Sequence, residues 1–233
     1  QILIAKDGKV VYDKNFGHLT YEKKQRVNNN TIYDVASLTK ILVTLPIVMK
    51  MVENGDISLN TQLKEIIPRY KNSNKSEKTI KEILSHFANL KSWIPFYKST
   101  IDSINNKPNS LYYRNSFSDK YNIRVTDNLY LLSSFNDSIN MRIKSSDLNN
   151  DRYKYSDLPY YILKEYIENY YSSDLSSIID SQMFNKMGLT HSSFFPKRIN
   201  SLDNIAPTEM DDYFRFQEIR GTVHDMGAAM QGG

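Results

Sequence analysis

Short apolar runs separated by polar breaks organise the start of the chain. Residues 1–5 are apolar, Lys6-Asp7-Gly8-Lys9 is a turn signal, and residues 10–12 resume the run, which predicts a β-hairpin with Asp-Gly at its tip. Residues 16–21 and 31–35 read as further extended pieces. From Ile41 to Val52 only Thr44, Pro46 and Lys50 interrupt an apolar run, so a helix there has no polar face and is expected in the middle of a larger structure. Pro46 is expected to remove a hydrogen bond and kink it, and Asn54-Gly55 gives the stop.

Downstream, residues 59–67 are amphipathic and end at Pro68, and residues 71–78 are a polar loop. Thr79 is placed to cap a helix over residues 80–86, where Ile80, Ile83 and Leu84 recur at helical spacing. Residues 99–110 and 114–122 are rich in Ser, Asn and Asp and read as loops. Residues 127–135 are apolar, either helix or extended, and residues 137–150 return toward loop character. A periodic run from Leu158 to Tyr170 carries Pro159 in its first turn, where the missing N–H costs little. A further helix covers residues 176–187 and closes at Gly188. Residues 206–216 read as extended or turned, and Gly221-Thr222-Val223-His224-Asp225 opens a short segment through Ala229.

Composition narrows the classes. With 233 residues, 40% of them hydrophobic and 12% aromatic, the chain has enough apolar material for one large domain or two small ones. Its net charge is +4, but the basic residues alternate with acidic ones, as at Lys64-Glu65 and Lys81-Glu82. That is a solvated surface and not a nucleic-acid stripe. There is no cysteine, which excludes a disulfide framework and a thiol nucleophile. No run reaches the ~18 apolar residues of a membrane span. The chain begins inside a strand pattern with no signal peptide, and a leading segment is expected to be absent from it.

The candidate chemistry begins at Ala36-Ser37-Leu38-Thr39-Lys40. On a helix, Ser37 and Lys40 share a face. A serine hydroxyl is a weak nucleophile that a nearby base activates, and a desolvated lysine amine is one such base. Alone, Ser-x-x-Lys describes many solvated helix starts, and Lys40 would then be a surface lysine. Two further segments follow in order: Leu84-Ser85-His86-Phe87-Ala88-Asn89-Leu90, and Tyr155-Ser156-Asp157 before the Pro159 helix. With seventeen tyrosines a Tyr-Ser-Asp triplet arises easily by chance, and it is the position of Tyr155 that singles it out.

Together these three segments resemble the serine β-lactamase-like superfamily, in its class C β-lactamase, penicillin-binding-protein and family VIII esterase branch. The resemblance runs over nearly the whole chain. It implies an α/β plus all-α, β-lactamase/transpeptidase-like fold: an antiparallel sheet flanked by helices with a helical domain, the sheet incomplete here. Residues 1–55 and 216–233 would belong to a partial α/β domain, and residues 56–215 to a mostly helical one with long loops. The resemblance places the acylated nucleophile at Ser37, the lysine that takes or relays its proton at Lys40, and the tyrosine that acts as or assists the base at Tyr155. Asp157 stands where the family often has Asn, which alters a contact to an amide substrate. Ala88-Asn89 replaces the family's Ser-Gly after His86. His86 and His224 are assigned to shaping and binding, with a structural role expected for both. His18 and His191 have no partner at ligand spacing, so neither a metal site nor a cofactor is expected.

The family's third motif, Lys-Thr-Gly or His-x-Gly on an edge strand, has no match here, and Gly232-Gly233 resembles the start of the loop that leads to it. A chain cut before that strand, or disorder, is the leading expectation, with completion of the sheet by another domain or polypeptide as the alternative. The resemblance implies a serine hydrolase that forms an acyl-enzyme on a small-molecule or peptide substrate: a peptidoglycan peptide, a β-lactam or an ester. Its setting would be the periplasm or another part of the cell envelope. The alternative is a catalytically silent module that binds cell-wall material. No nucleic-acid partner is expected.

Overall fold

The computed structural model describes residues 1–231, so the Gly232-Gly233 resemblance lies outside the described residues. In chain order the elements are β1 (Ile2–Lys6), β2 (Lys9–Lys14), α1 (Leu45–Glu53), α2 (Leu63–Ile66), α3 (Ile80–Leu84), β3 (Tyr113–Arg114), β4 (Ile123–Thr126), β5 (Leu129–Leu131) and α4 (Phe135–Ser145). They continue with α5 (Leu158–Tyr171), α6 (Leu175–Ile179), α7 (Pro196–Ile199), β6 (Pro207–Asp211), β7 (Gln217–Arg220) and α8 (Met226–Ala229). The strands form three small antiparallel sheets, β1-β2, β3-β5-β4 and β6-β7.

The expected hairpin is present. Asp7 (φ 51°) and Gly8 (φ 74°) both occupy the left-handed region that a tight two-residue turn demands. Every residue of β1 and β2 is exposed. Residues 16–21 form no strand; His18 makes a single bridge to Arg26, while Ile32 bridges Ile205 in parallel.

The segment after Ala36 departs from a uniform buried helix. A tight 3-10 turn at Ala36–Leu38 leads into a wide π turn at Lys40–Thr44, and regular α-helix begins only at Leu45. Pro46 explains this. It has no N–H to offer the carbonyl four residues back, and it falls in the first turn of α1, where that loss is tolerated, so it ends the π turn instead of kinking a helix. Burial is also one-sided. Val43, Ile47, Val48 and Met51 are buried, but Leu38, Ile41, Leu42 and Met49 are exposed. The π turn packs against α5, while Ile41 and Leu42 remain exposed.

Residues 137–150 are not a loop: α4 occupies most of them. Phe135, Ile139 and Ile143, at four-residue spacing, are buried as one stripe among polar residues. They join Leu131 and the α5 residues Leu158, Ile162, Leu163 and Ile167 in the main core. α5 begins with Pro159 in its first turn and ends at Ser172 in a left-handed cap. No helix of the described residues is long and apolar enough to cross a membrane.

Lys75 is a fully buried cation in this core. Its Nζ donates to the Lys144 carbonyl (3.1 Å), the Ser146 carbonyl and Asn74 Oδ1 (2.8 Å), closing the C-terminal end of α4. Burial pulls its ammonium down to about 8. Replacing it by Met would take its donor from the Lys144 carbonyl and Asn74 Oδ1 and leave the Ser146 carbonyl only the Asn74 amide (3.1 Å), so Lys75→Met is expected to cost about 2 kcal/mol in urea unfolding at pH 7. A loss below ~0.5 kcal/mol would show that water replaces the ammonium.

Candidate active site

Ser37 sits at a strained corner. Ala36, with no need of glycine for its side chain, has φ 46°, and Asp34 holds it there by accepting the Ala36 N–H at Oδ1 (2.7 Å). The second oxygen of Asp34 accepts the His224 N–H (3.4 Å), tying the corner to residues 221–225. Ser37 itself is exposed, so its hydroxyl is open to a ligand.

The tight turn carries Lys40 back beneath Ser37. Lys40 Nζ lies 2.9 Å from Ser37 Oγ and 2.7 Å from Asp157 Oδ1. It also stands 5.2 Å from the ring centre of Tyr155 and 5.3 Å from that of Tyr160. The side chain is only 14% exposed. Burial would lower its pKa, but the hydrogen bonds and charges of Asp157 and Tyr155 outweigh that and hold it above the ordinary lysine value. At neutral pH Lys40 is an ammonium.

Asp157 precedes the first residue of α5, the position where an aspartate ordinarily caps the helix. Its carboxylate makes no capping bond and points to Lys40 instead. The backbone places it there: Asp157 N–H donates to the Ser92 carbonyl (2.8 Å), and buried Ser156 donates its hydroxyl to the Lys91 carbonyl (2.5 Å). The segment after α3 therefore aligns residues 155–157.

His86 completes this alignment. Its Nδ1 accepts the Ser156 N–H (3.3 Å), which leaves the proton of the neutral ring on Nε2. Its ring centre lies 4.5 Å from that of Tyr155, tilted 37°, and 5.8 Å from that of Tyr160. Burial and the charge of Lys40 hold the imidazole pKa below its ordinary value, so it supports the site as a neutral ring. His86 (φ 63°) and Asn89 (φ 60°) are both left-handed. Asn tolerates that conformation better than most residues, which accounts for Asn89 where the resemblance led one to expect glycine. Asn89 also accepts from Lys78 Nζ (3.1 Å) and receives the Asn149 N–H at its carbonyl (2.7 Å).

His224 is exposed and stands at the edge of a second network built on buried Arg215 and Asp211. Its Nδ1 is 2.8 Å from Glu209. The guanidinium of Arg215, fully buried, meets Asp211 at 2.6 Å and Glu209 at 3.0 Å, and donates to the carbonyls of Val223 (2.7 Å) and His224 (2.9 Å). Arg215 thus fixes the loop bearing His224 and Asp225, and Asp225 caps α8 through the Ala228 N–H (2.9 Å). A cavity of about 230 Å³ joins the two groups, with Asp157 on one wall and His224 and Asp225 on another.

Ser37, Lys40, Tyr155, Asp157 and His86 are therefore brought into one cluster, with His224 across the adjoining cavity. Sequence reasoning passed over Tyr160, Asp34 and Arg215. Asp34 left a signal, an aspartate two residues before a helix start; Tyr160 and Arg215 left none among so many tyrosines and alternating charges.

The model of the Beta-lactamase family matches residues 1–231. Among curated proteins, Protein flp of Staphylococcus aureus (strain MRSA252) is 27% identical over 196 residues, covering 83% of this chain and 34% of that protein. Among solved structures, the octameric penicillin-binding protein homologue from Pyrococcus abyssi superposes with a TM-score of 0.63 at 20% identity, over 94% of this chain and 45% of that one. EstCE1, described as a hydrolase with promiscuous acyltransferase activity, gives a TM-score of 0.62 at 20% identity, over 96% of this chain and 53% of that one. The chain thus spans between about a third and a half of the proteins it matches. The fold is that of the β-lactamases and penicillin-binding proteins, built here with small, unclosed sheets, and the chain belongs to the Beta-lactamase family.

Proposed function

We propose that this chain carries the nucleophile half of a serine hydrolase site, and that Ser37 is the residue acylated. The observation that supports it best is the Ser37 Oγ to Lys40 Nζ contact of 2.9 Å at an exposed, strained corner. In this reading Ser37 Oγ attacks an amide or ester carbonyl and forms a tetrahedral adduct. Its proton goes to Lys40 in the amine form, with Tyr155 sharing it, and is passed to the leaving group as the acyl-enzyme forms. Water then reverses the steps. A peptidoglycan peptide, a β-lactam and a carboxylic ester are the candidate acyl donors, in keeping with a setting in the cell envelope. Residues 1–55 and 216 onward form the α/β part of the assignment, and residues 56–215 the helical part.

The Asp157 carboxylate sets the working pH. Because it raises the pKa of Lys40, only a small fraction of the lysine is amine at pH 7, and acylation should accelerate as pH rises. The same ion pair favours a second reading, a silent module that binds cell-wall material, since a fully protonated Lys40 is no base.

Incubation with a fluorophosphonate, followed by intact-mass measurement and peptide mapping, is expected to find one adduct on Ser37 that Ser37→Ala abolishes. An unmodified chain at every pH between ~7 and ~10 sinks the hydrolase reading and leaves the binding module. Asp157→Asn removes the charge that holds the proton on Lys40, so its labelling rate should reach its plateau at lower pH than that of the native chain. A profile that stays in place, or moves to higher pH, would show that Lys40 does not take the proton.

A further inference from the structure

The cavity beside Asp157 has a composition that the acyl-enzyme reading does not use. Its walls are aromatic, from Trp93, Phe96, Tyr97 and Tyr161, and its charged lining groups are the carboxylates of Asp157 and Asp225. No lysine or arginine lines it. Arg142 packs on the Phe96 ring from outside the lining, 5.1 Å from its centre. The surrounding network adds Asp34, Glu209 and Asp211, and these five carboxylates face only Lys40 and Arg215 as cations, with His224 bonded to Glu209.

Tyr161 lines the cavity, with its hydroxyl against Gly227. The chain makes room for it: a Cβ on Gly227 would collide with that hydroxyl, so only glycine lets the ring reach this wall. At about 230 Å³ the space lies below the roughly 300–1,000 Å³ of pockets for drug-sized ligands, which limits the occupant to a small group.

We infer that this cavity binds a small cationic group of the substrate, a primary ammonium carried close to the scissile carbonyl. Aromatic faces and the Asp225 carboxylate, which pairs with no cation among the described residues, attract an ammonium together, and the Tyr161 hydroxyl accepts one of its hydrogens. The cavity reaches Asp157, whose carboxylate contacts the lysine that contacts Ser37, and this chain of contacts links the cavity to the serine. This placement rests on the acyl-enzyme reading of Ser37; the affinity for an ammonium does not.

Trp93 is the only tryptophan in the chain, so its fluorescence reports on the cavity without any turnover. At about pH 6.5, below the usual α-amino pKa of ~8, alaninamide is an ammonium and lactamide is its neutral isostere. Titration of the full chain is expected to give saturable quenching by alaninamide at a Kd at least about tenfold below that of lactamide. Asp225→Asn keeps the helix cap, since asparagine caps as well as aspartate, and should remove most of that preference. Equal affinities for the two amides in the native chain, or a preference untouched in Asp225→Asn, overturn the inference. If Trp93 shows the preference while Ser37 takes no fluorophosphonate, the cavity stands and the hydrolase reading falls. If Ser37 labels and the amides bind alike, the reverse holds.

Discussion

The ion pair between Lys40 and Asp157 joins the two parts of the molecule on which everything else at the site depends. One partner belongs to the segment that turns from a strained corner into α1, the other to the first turn of α5. Both side chains are largely removed from water, at 14% and 27% exposure, so losing either partner strands a charge. The geometry also shows what the pair costs. A helix start ordinarily uses its aspartate to satisfy an orphan N–H, and α5 gives that up so that the carboxylate reaches across to Lys40. Such a sacrifice of local stability is a mark of residues placed for chemistry.

The second organising contact is Arg215. A guanidinium without any solvent exposure needs partners, and two carboxylates and two carbonyls take four of its five N–H groups. Because those carbonyls belong to Val223 and His224, the arginine fixes a loop that would otherwise have little to pack against. Asp34 then links that loop to the corner before Ser37. Ser37 is thus held from both sides, by Lys40 below and by the Asp34 and Arg215 chain of contacts beside it.

Much of this was legible in the residue pattern, and the failures have identifiable causes. The Asp-Gly hairpin, the Pro159 start of α5 and the Thr79 cap of α3 follow local rules, and local rules sufficed. α4 was hidden because its three buried residues are spaced among eight others that are polar or exposed, and the Ser and Asn content masked the stripe. The helix after Ser37 was misread as buried all round because apolar composition does not say whether a partner exists to cover each face. Ile41, Leu42 and Met49 remain exposed among the described residues. Ile41 and Leu42 line an apolar groove of about 630 Å³ together with Ile32, Pro46, Met183, Met187 and Phe194. For the site, the order of three motifs named five of its members, but the buried arginine could not be told from other arginines without its tertiary partners.

Asp157 serves two neighbours at once, and this couples the cavity to the base. On one side it holds the proton on Lys40; on the other it forms a wall of the cavity. A cation seated in that cavity adds positive potential a few ångströms from Lys40 and draws on the same carboxylate. By Coulomb's law both effects make the lysine ammonium less favourable, and they act most strongly where water is scarce. An ammonium-bearing substrate would therefore move Lys40 toward the amine form that can accept the serine proton. On the roles proposed for Ser37 and Lys40, the Asp157 charge then ties activation of the serine to the arrival of a cationic substrate.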